Sequence, residues 1–532
     1  MRTTSRIAAV LGFLLAVSLP GRSAPTLRLN PYESHADTVP RTEIDNLVLA
    51  RLEQLKIEPA NLCSDGVFVR RAYLDVIGTL PSAQEAKDFI LDRSPGKRRA
   101  LIDKLLARDE FPDYWAMKWC DLLRVKAEFP VNLWPNAAQA YHRWIRTNIR
   151  DNRPYDQVVR EMLTSSGSNF RVGPVNFYRA MQSKDPQTIA RTVALTLMGV
   201  RAEKWPNSTL TNMAAFFSAV GYKYTSEWKE EIVFFDANKV SGPGTNCVVP
   251  ATATFPDGTT AHLTAEQDPR EVFAAWLVDP NNQWFTRNIA NRVWAWLMGR
   301  GIIHEPDDIR PDNPPSNPEL LAYLEKELIA NHYDLKSLYR LILNSRSYQL
   351  SALPKTEGPE SDANFSHYLL RRLDAEVLID ALDEITGTTE QYSSAIPEPF
   401  TYIPESHRSI TLPDGSISSS FLELFGRPPR DTGLDSERNN RPSADQALHM
   451  LNSTHIQRKI DQCRMVNYLT ENKKTPREIA TGMYLGILSR FPTETELQSV
   501  DAYFQNGKLK TREAAVDLAW ALVNSNEFLY RH

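Results

Sequence analysis

A short acidic segment offers the first candidate for chemistry. HEPDDIRPDNPPSNPEL, residues 304–320, contains one histidine, five acidic residues, one arginine and five prolines. Clustered carboxylates can coordinate a hard cation, and a carboxylate beside a histidine can transfer protons. The candidate catalytic residues are His304, Asp307, Asp308 and Arg310, with Glu437 and Arg438 of a later loop as partners. Carboxylates of the two segments within about 4–6 Å of each other, with shifted pKa values, would indicate an enzyme.

The same segment also has a structural interpretation. Adjacent residues on one proline-stiffened loop seldom all converge on one ion, and Asp308 can simply pair with Arg310. Ser316 and Glu319 have the spacing of a capping box, and Pro318 would lie in the first helical turn, where its missing N–H costs little. The sequence therefore favours a rigid loop that starts a helix, and it predicts neither a metal site nor a bound cofactor.

Other catalytic patterns are weaker. The chain contains no G-x-S-x-G, H-E-x-x-H or P-loop motif. His449 and His455 are six residues apart and need not share a face. Five acids lie at helical spacings beside two arginines, a pattern typical of a solvated helix face. These acids are Asp374, Glu376, Asp380, Asp383 and Glu384.

A tryptophan- and arginine-rich segment, WFTRNIANRVWAWLMGRGI at residues 284–302, has two interpretations. Its apolar residues suit the buried face of a helix that ends at Gly299 and Gly301; they are Ile289, Val293, Trp296 and Leu297. Tryptophan and arginine also form sugar-binding surfaces, because rings and guanidinium planes stack on flat faces. Core packing is favoured for this segment. The eleven tryptophans of the chain keep carbohydrate binding open, and an exposed Trp or Arg cluster would support it.

Composition excludes some classes of protein. The 532 residues are 42% hydrophobic and 24% charged, with a net charge of −4, which indicates a globular protein and argues against nucleic-acid binding. At the N-terminus two arginines precede a thirteen-residue apolar run and a group of small or helix-breaking residues, the layout of a secretory signal peptide. Cleavage after Ser23 would place the mature protein in the periplasm or at the cell surface without a membrane span.

The cysteines give little guidance. The four, Cys63, Cys120, Cys247 and Cys463, are scattered and form neither a zinc nor a c-type haem motif. Disulfides are compatible with export, but their pairing is not determined by the sequence. Cys120 lies in an apolar helical stretch and is predicted to be a buried thiol.

The element pattern predicts a mainly α protein. Amphipathic helices with capped starts, such as Thr42 before residue 43 and the Ser82–Glu85 capping box, fill both halves. β-Branched residues broken by GPG and PDG predict a few strands between the halves. Residues 388–443 are predicted to form long loops, with short strands near SHRSITLP. The predicted organisation is a signal peptide (1–23), a linker (24–40), a helical domain (41–221), a small β insert (222–267) and a second helical domain (268–532).

Long ordered motifs carry a resemblance to a known pair of domains. The first includes RRAYLDVIGTLPSAQEA, NRPYDQVVREMLTSSGSNF and NMAAFFSAVG, and the second includes DPREVFAAWLVDPNNQWFTRNIANRVWAWLMGRGI, DDIRPDNPPSNPELL, FGRPPRDT and QALHMLNS. The chain resembles the secreted paired domains of unknown function of planctomycetes and verrucomicrobia, a planctomycete cytochrome-associated domain followed by its usual C-terminal partner. The resemblance implies this domain pair but no established activity.

The chain departs from that family pattern in one respect. Many relatives carry a C-x-x-C-H segment before the A-A-F-F motif, whereas this chain has GVRAEKWPNSTLTNMAAFF. Thioether attachment of haem needs both thiols and the histidine, so this chain cannot hold haem there. No room remains between the predicted signal peptide and residue 41 for a fused cytochrome c domain.

Three functional hypotheses follow. The leading one is an exported binding or scaffold protein of the cell envelope, with a polysaccharide or an envelope protein as partner and no role for nucleic acid. The second is an exported hydrolase with a carboxylate or metal-dependent site at the candidates named above. The third, a redox partner of a separate cytochrome c, rests on the resemblance alone. The sequence leaves open whether the protein is an enzyme, its ligand and its oligomeric state.

Overall fold

The computed structural model describes residues 30–34, 39–239, 249–264, 266–404, 406–472, 474–505 and 509–532. The predicted signal peptide, much of the predicted linker and Cys247 lie outside these residues. Within them the protein is mainly α-helical with small sheets, which confirms the predicted fold class. Cys120 is a buried free thiol, as predicted, and Cys63 and Cys463 are buried free thiols as well.

The helices of the first half begin where the sequence predicts caps. Thr42 forms a capping box with Asp45, and Ser82 forms one with Glu85. These helices are α1 (Glu43–Leu55), α2 (Asp65–Val76), α3 (Ala83–Leu91), α4 (Lys97–Leu106), α5 (Glu110–Leu122), α6 (Pro135–Arg150), α7 (Tyr155–Thr164), α8 (Asn176–Arg179), α9 (Pro186–Val193) and α10 (Asn207–Ala215).

Small antiparallel sheets are distributed along the described residues. They pair β1 (Glu33–Ser34) with β2 (Leu62–Cys63), β3 (Gly167–Ser168) and β4 (Val220–Tyr224) with β5 (Glu231–Phe235), β6 (Thr252–Thr254) with β7 (Thr260–His262), and β8 (Arg371–Arg372) with β9 (Tyr530–Arg531). In the three-stranded sheet β5 is central, with Val220 opposite Phe235. Because β3 comes from between α7 and α8, this sheet ties the predicted insert to the first helical region.

The second half is again helical. Its helices are α11 (Pro269–Leu277), α12 (Phe285–Met298), α13 (Pro318–Ala330), α14 (Leu335–Leu343), α15 (Pro359–Ala363), α16 (Ala375–Thr386), α17 (Ser420–Leu424), α18 (Ala444–Asn452), α19 (Thr454–Asp461), α20 (Arg464–Glu471), α21 (Pro476–Met483), α22 (Glu494–Gln505), α23 (Thr511–Val523) and α24 (Asn526–Leu529). Helix α12 ends at Gly299, whose φ of +86° is left-handed, as the sequence predicts.

The cap of α13 differs from its prediction by one residue. Asn317, not Ser316, caps this helix, and its Oδ1 accepts the N–H of Leu320 at 3.0 Å. The backbone of Asn317 is extended and Pro318 occupies the first helical position. The carboxamide of Asn317 therefore caps the N3 amide of the helix, and the capping-box spacing of Ser316 and Glu319 is incidental.

The core runs continuously through both halves. Trp115 and Trp119 of α5 pack against Trp296 of α12, with ring centroids 5.5 and 5.6 Å apart. Arg71 of α2 donates through Nη1 to the carbonyl of Tyr348 and through Nε to that of His532. The two predicted helical domains are therefore in direct contact through a shared aromatic core and through the hydrogen bonds of Arg71.

Residues 388–443 form the predicted long loops. Their helical structure consists of α17 and two single 3-10 turns, Ser409–Thr411 and Asp435–Glu437. The strands expected near SHRSITLP are absent from the described residues of this stretch, and the first 3-10 turn lies there instead. Asp380 of α16 accepts the backbone N–H groups of Ser409 at 2.6 Å and Ile410 at 3.1 Å, which explains the turn.

Candidate functional site

The acidic loop and the later loop meet at Asp307. Its Oδ1 accepts a hydrogen bond from Arg292 Nη2 at 2.7 Å, and its Oδ2 accepts the backbone N–H of Asp435 at 2.6 Å. The side chains of Asp307 and Arg292 are each only 1% exposed. The sequence thus named two segments that do come into contact. The contact is made through Asp435 and not through Glu437 or Arg438.

The other acids of the loop form ion pairs near the surface. Asp308 pairs with Lys204 at 2.9 Å and with Arg310 at 3.1 Å, and Arg310 also pairs with Asp312 at 2.6 Å. Burial raises the pKa of Asp308, but the hydrogen bonds from Lys204 and Arg310 outweigh it and hold that pKa below its usual value. His304 is exposed, and partial desolvation together with Arg300 lowers its pKa.

Glu437 and Arg438 point in different directions. Glu437 Oε1 accepts the N–H of Thr432 at 2.7 Å and so closes its own loop. Arg438 reaches inward and donates to Asp121 Oδ2 at 2.6 Å and to Glu376 Oε2 at 2.7 Å. Neither side chain is brought into contact with His304, Asp308 or Arg310.

A buried ionic network lies behind this junction. Its members are Asp75, Lys118, Asp374, Glu376, Arg438 and Arg531. Arg531 donates to Asp75 Oδ1 at 3.0 Å and to Asp374 Oδ2 at 2.8 Å, and Lys118 Nζ lies 2.9 Å from Asp374 Oδ2. The carboxylates are 0–2% exposed. The solvated face predicted for α16 is therefore wrong for Asp374 and Glu376, and also for Asp380, because their partners arrive from distant parts of the chain.

The pKa values at the junction are shifted in opposite directions. Burial raises the pKa of Asp435 and lowers that of Lys118, so both groups are pushed towards their neutral forms. The pKa of Asp374 is shifted in the opposite sense. Burial opposes ionisation of this carboxyl, but Lys118 and Arg438 hold its pKa well below its usual value. Asp435 lies at the edge of the network, where part of its surface is exposed to solvent.

This arrangement is suited to proton transfer. Titratable groups whose pKa values are driven apart within one site are typical of acid–base sites. Among the described residues, no group of three or more histidine, cysteine or carboxylate side chains is placed to hold a metal ion.

A pair of histidines was missed by the sequence argument. His449 Nε2 lies 3.3 Å from His455 Nδ1, and His455 Nε2 lies 3.0 Å from Glu390 Oε2. The sequence left open whether these histidines meet; they lie on different helices, α18 and α19, and the turn at Ser453 that joins the helices brings the rings together. Ser453, which caps α19, was the available signal for this turn. Phe421 packs edge-on against both imidazole rings.

An aromatic surface is assembled from three distant segments. It consists of Trp134, Trp228, Lys229 and Phe400. The rings of Trp134 and Phe400 have centroids 5.6 Å apart, and Lys229 Nζ lies 5.8 Å from the Trp134 ring and 5.4 Å from the Trp228 ring. Trp228 is 70% exposed and Phe400 is 55% exposed. The tryptophans of residues 284–302, for which core packing was favoured over sugar binding, are buried or half-buried and lie outside this surface.

The loop that carries Trp134 is fixed to the loop that carries Phe400. Glu128 accepts the N–H of Ala395 at 3.0 Å through Oε1, and its own N–H donates to Ser416 Oγ at 2.9 Å. Trp134 has a φ of +73°, which a bulky side chain rarely adopts. A tryptophan held in this backbone conformation and left at the surface is the kind of outlier that occurs at binding sites.

Comparisons with known proteins identify two domains. Residues 43–214 match the model of a family described as PSCyt2, protein of unknown function (DUF1549), and residues 269–504 match that described as PSD1, protein of unknown function (DUF1553). No curated protein and no solved structure matches the chain. In the described part of the chain, no helix is long and apolar enough to cross a bilayer.

Proposed function

The chain belongs to the DUF1549 and DUF1553 families of proteins of unknown function, and we propose that this member is an exported binding protein that takes up polysaccharide on its aromatic surface. The single observation that supports this is the cluster of exposed rings around Lys229. Export rests on the predicted signal peptide, which would place this surface outside the cytoplasm.

The chemistry of the surface suits a sugar. Aromatic rings pack against the apolar faces of pyranose rings, and the N–H of a tryptophan supplies a hydrogen-bond donor at the edge. Lys229 Nζ, between the two tryptophan rings, adds a donor that can reach a hydroxyl or a charged substituent. Trp228 exposes 70% of its surface, so a ligand can reach it without any rearrangement.

The test is binding to a panel of neutral and acidic polysaccharides in native gels, with and without EDTA. We expect one class of polysaccharide to slow the migration of the protein through the gel. Trp228→Ala should weaken that binding about tenfold, because stacking a ring on an aromatic side chain contributes on the order of 1–3 kcal/mol where it has been measured for nucleobases. Tyr468→Ala is the matched control, because Tyr468 is 65% exposed on a separate helix. The proposal would be contradicted if Tyr468→Ala weakened binding as much as Trp228→Ala, or if none of the polysaccharides slowed the migration of the protein.

A second function is favoured by the junction of the two loops. The contact between Asp307 and Asp435, with the raised pKa of Asp435 and the lowered pKa of Lys118, supports a hydrolase that acts by proton transfer. Incubation with the polysaccharide found above would release reducing ends. Asp435→Asn would abolish that release. Asp445→Asn, a substitution at an exposed residue away from the junction, would leave the release unchanged. EDTA would have no effect on the release.

A further inference from the structure

A wide groove lies on another part of the molecule. It has a volume of about 700 Å³ and runs between the first turn of α4 and the helices α13 and α14. Both family domains therefore contribute a wall. A space of this size is within the range of sites that hold a ligand of several rings.

The groove gathers positive charge. Six cationic residues line it, against three acidic ones, although the whole chain has a net charge of −4. The cations are Arg41, Lys97, Arg98, Arg99, Arg340 and Arg346, and the acids are Asp65, Glu327 and Asp334. A positive excess in a concave surface of a negative protein concentrates anions there.

Part of this charge is compensated within the protein. Asp65 pairs with Lys97 at 2.6 Å and with Arg98 at 2.9 Å, and Arg340 pairs with Asp103 at 2.7 Å. Of the three groove acids, only Asp65 takes part in these pairs, and Asp103, the partner of Arg340, does not line the groove.

Arg41, Arg99 and Arg346 remain unpaired. No carboxylate in the described parts of the chain lies within ion-pair distance of their guanidinium groups. Arg41 and Arg99 are exposed to solvent, whereas Arg346 is partly buried beneath the groove. Each of these three side chains is free to bind an anion that enters the groove.

Arg346 supplies an independent indication of a ligand. Its Nε is buried and has no hydrogen-bond partner among the described residues. Burial lowers the pKa of Arg346, and the nearby positive charges of Arg41 and Arg98 lower it further. An oxyanion placed among the guanidinium groups of Arg41, Arg98 and Arg346 would relieve the repulsion between them.

We propose that this basic groove binds the sulfate or carboxylate groups of an acidic polysaccharide. The choice of a saccharide as the ligand rests on the proposed function, whereas the negative charge of the ligand is inferred from the groove itself. Single-stranded nucleic acid is normally held by aromatic stacking, and no aromatic residue is among the described residues that line the groove. A bilayer surface is flat and does not reach into a concave groove. A flexible sugar chain with regularly spaced oxyanions fits both the shape and the charge.

The test measures binding of fluorescently labelled dextran sulfate by anisotropy at several salt concentrations. Arg41→Gln combined with Arg99→Gln removes two exposed charges and should weaken binding about 25-fold, at roughly fivefold for each cation. The matched control combines Arg191→Gln with Arg458→Gln, two exposed arginines outside the groove, and should stay within about twofold of the wild type. Arg346→Lys should bind more tightly than Arg346→Gln because it keeps the charge.

The outcomes separate this proposal from the proposed function. Trp228→Ala should leave dextran sulfate binding unchanged, so the groove proposal stands even if neutral polysaccharides never bind. Polygalacturonate in place of dextran sulfate shows whether carboxylates serve as well as sulfates. The proposal is overturned if the control pair loses as much affinity as the groove pair. It is also overturned if oligodeoxythymidylate competes equally well, or if inorganic sulfate binds as tightly as the polymer.

Discussion

Two acidic segments of similar composition behave in opposite ways. In the loop at residues 304–312 every carboxylate except that of Asp307 lies near the surface, and Asp308 pairs with Arg310 two residues away. In the helical segment at residues 374–384 three of the five carboxylates are almost fully buried, those of Asp374, Glu376 and Asp380. The segment that suggested a catalytic site is thus largely a set of surface ion pairs, and the segment interpreted as a solvated face contributes most of its carboxylates to the buried interior.

The difference lies in where the cations come from. Arg310 is two residues from Asp308, so that pair needs no tertiary structure and stays in water. Asp374 is neutralised by Lys118 and Arg531, which lie 256 and 157 residues away along the chain. Burying a carboxylate is tolerable only when such partners are held in place, and removing one partner then costs far more than breaking a surface pair.

The largest expected effect is the loss of Arg531. Arg531→Met should lower the free energy of unfolding by about 3 kcal/mol, because Asp75 and Asp374 would lose a buried partner. Arg310→Met, which breaks the surface pair with Asp308, should cost less than about 1 kcal/mol. Urea denaturation of both variants measures the contrast. Similar losses would mean that the two segments do not differ as described.

A smaller effect separates the two adjacent aspartates of the loop. Asp307→Asn should cost about 2 kcal/mol, because its carboxylate accepts a charged hydrogen bond from Arg292 in a buried site. Asp308→Asn should change the free energy of unfolding by less than about 1 kcal/mol. Urea denaturation measures both variants. A loss of unfolding free energy in Asp308→Asn that matches or exceeds the loss in Asp307→Asn would show that the loop has no buried anchor.

The effect expected from Asp380 is a pH dependence, and its change per pH unit is the smallest of the three. Burial raises the pKa of Asp380 from 3.8 to about 7, against the opposing effect of Arg408. The folded protein therefore binds this proton more tightly than the unfolded chain, and stability falls as pH rises from about 4 to 7. Asp380→Asn cannot lose the proton, so its stability relative to the wild type should rise by at most about 1.4 kcal/mol per pH unit in that window. Melting both proteins at pH 5, 6, 7 and 8 checks this, and a difference that is constant across pH would refute the raised pKa.

Much of the local structure could be predicted from the sequence. Thr42, Ser82 and Gly299 mark helix ends through backbone hydrogen bonds that depend only on residues within a few positions. The single-residue shift at Asn317 shows the limit of such rules where two capping residues are adjacent. The three-ring surface could not be predicted, because Trp134, Trp228 and Phe400 are neighbours only in the folded chain.

The sequence by itself determined the helical class, helix starts such as those at Thr42 and Ser82, the absence of common catalytic motifs and the resemblance to the paired family domains, since all of these depend on short-range patterns. Tertiary structure alone decided which charges are buried. It joined Asp307 to Asp435, brought His449 against His455, and left Arg41, Arg99 and Arg346 without carboxylate partners among the described residues. The physical reason is that the free energy of a charge is set by the atoms around it in space, and those atoms come from parts of the chain hundreds of residues apart.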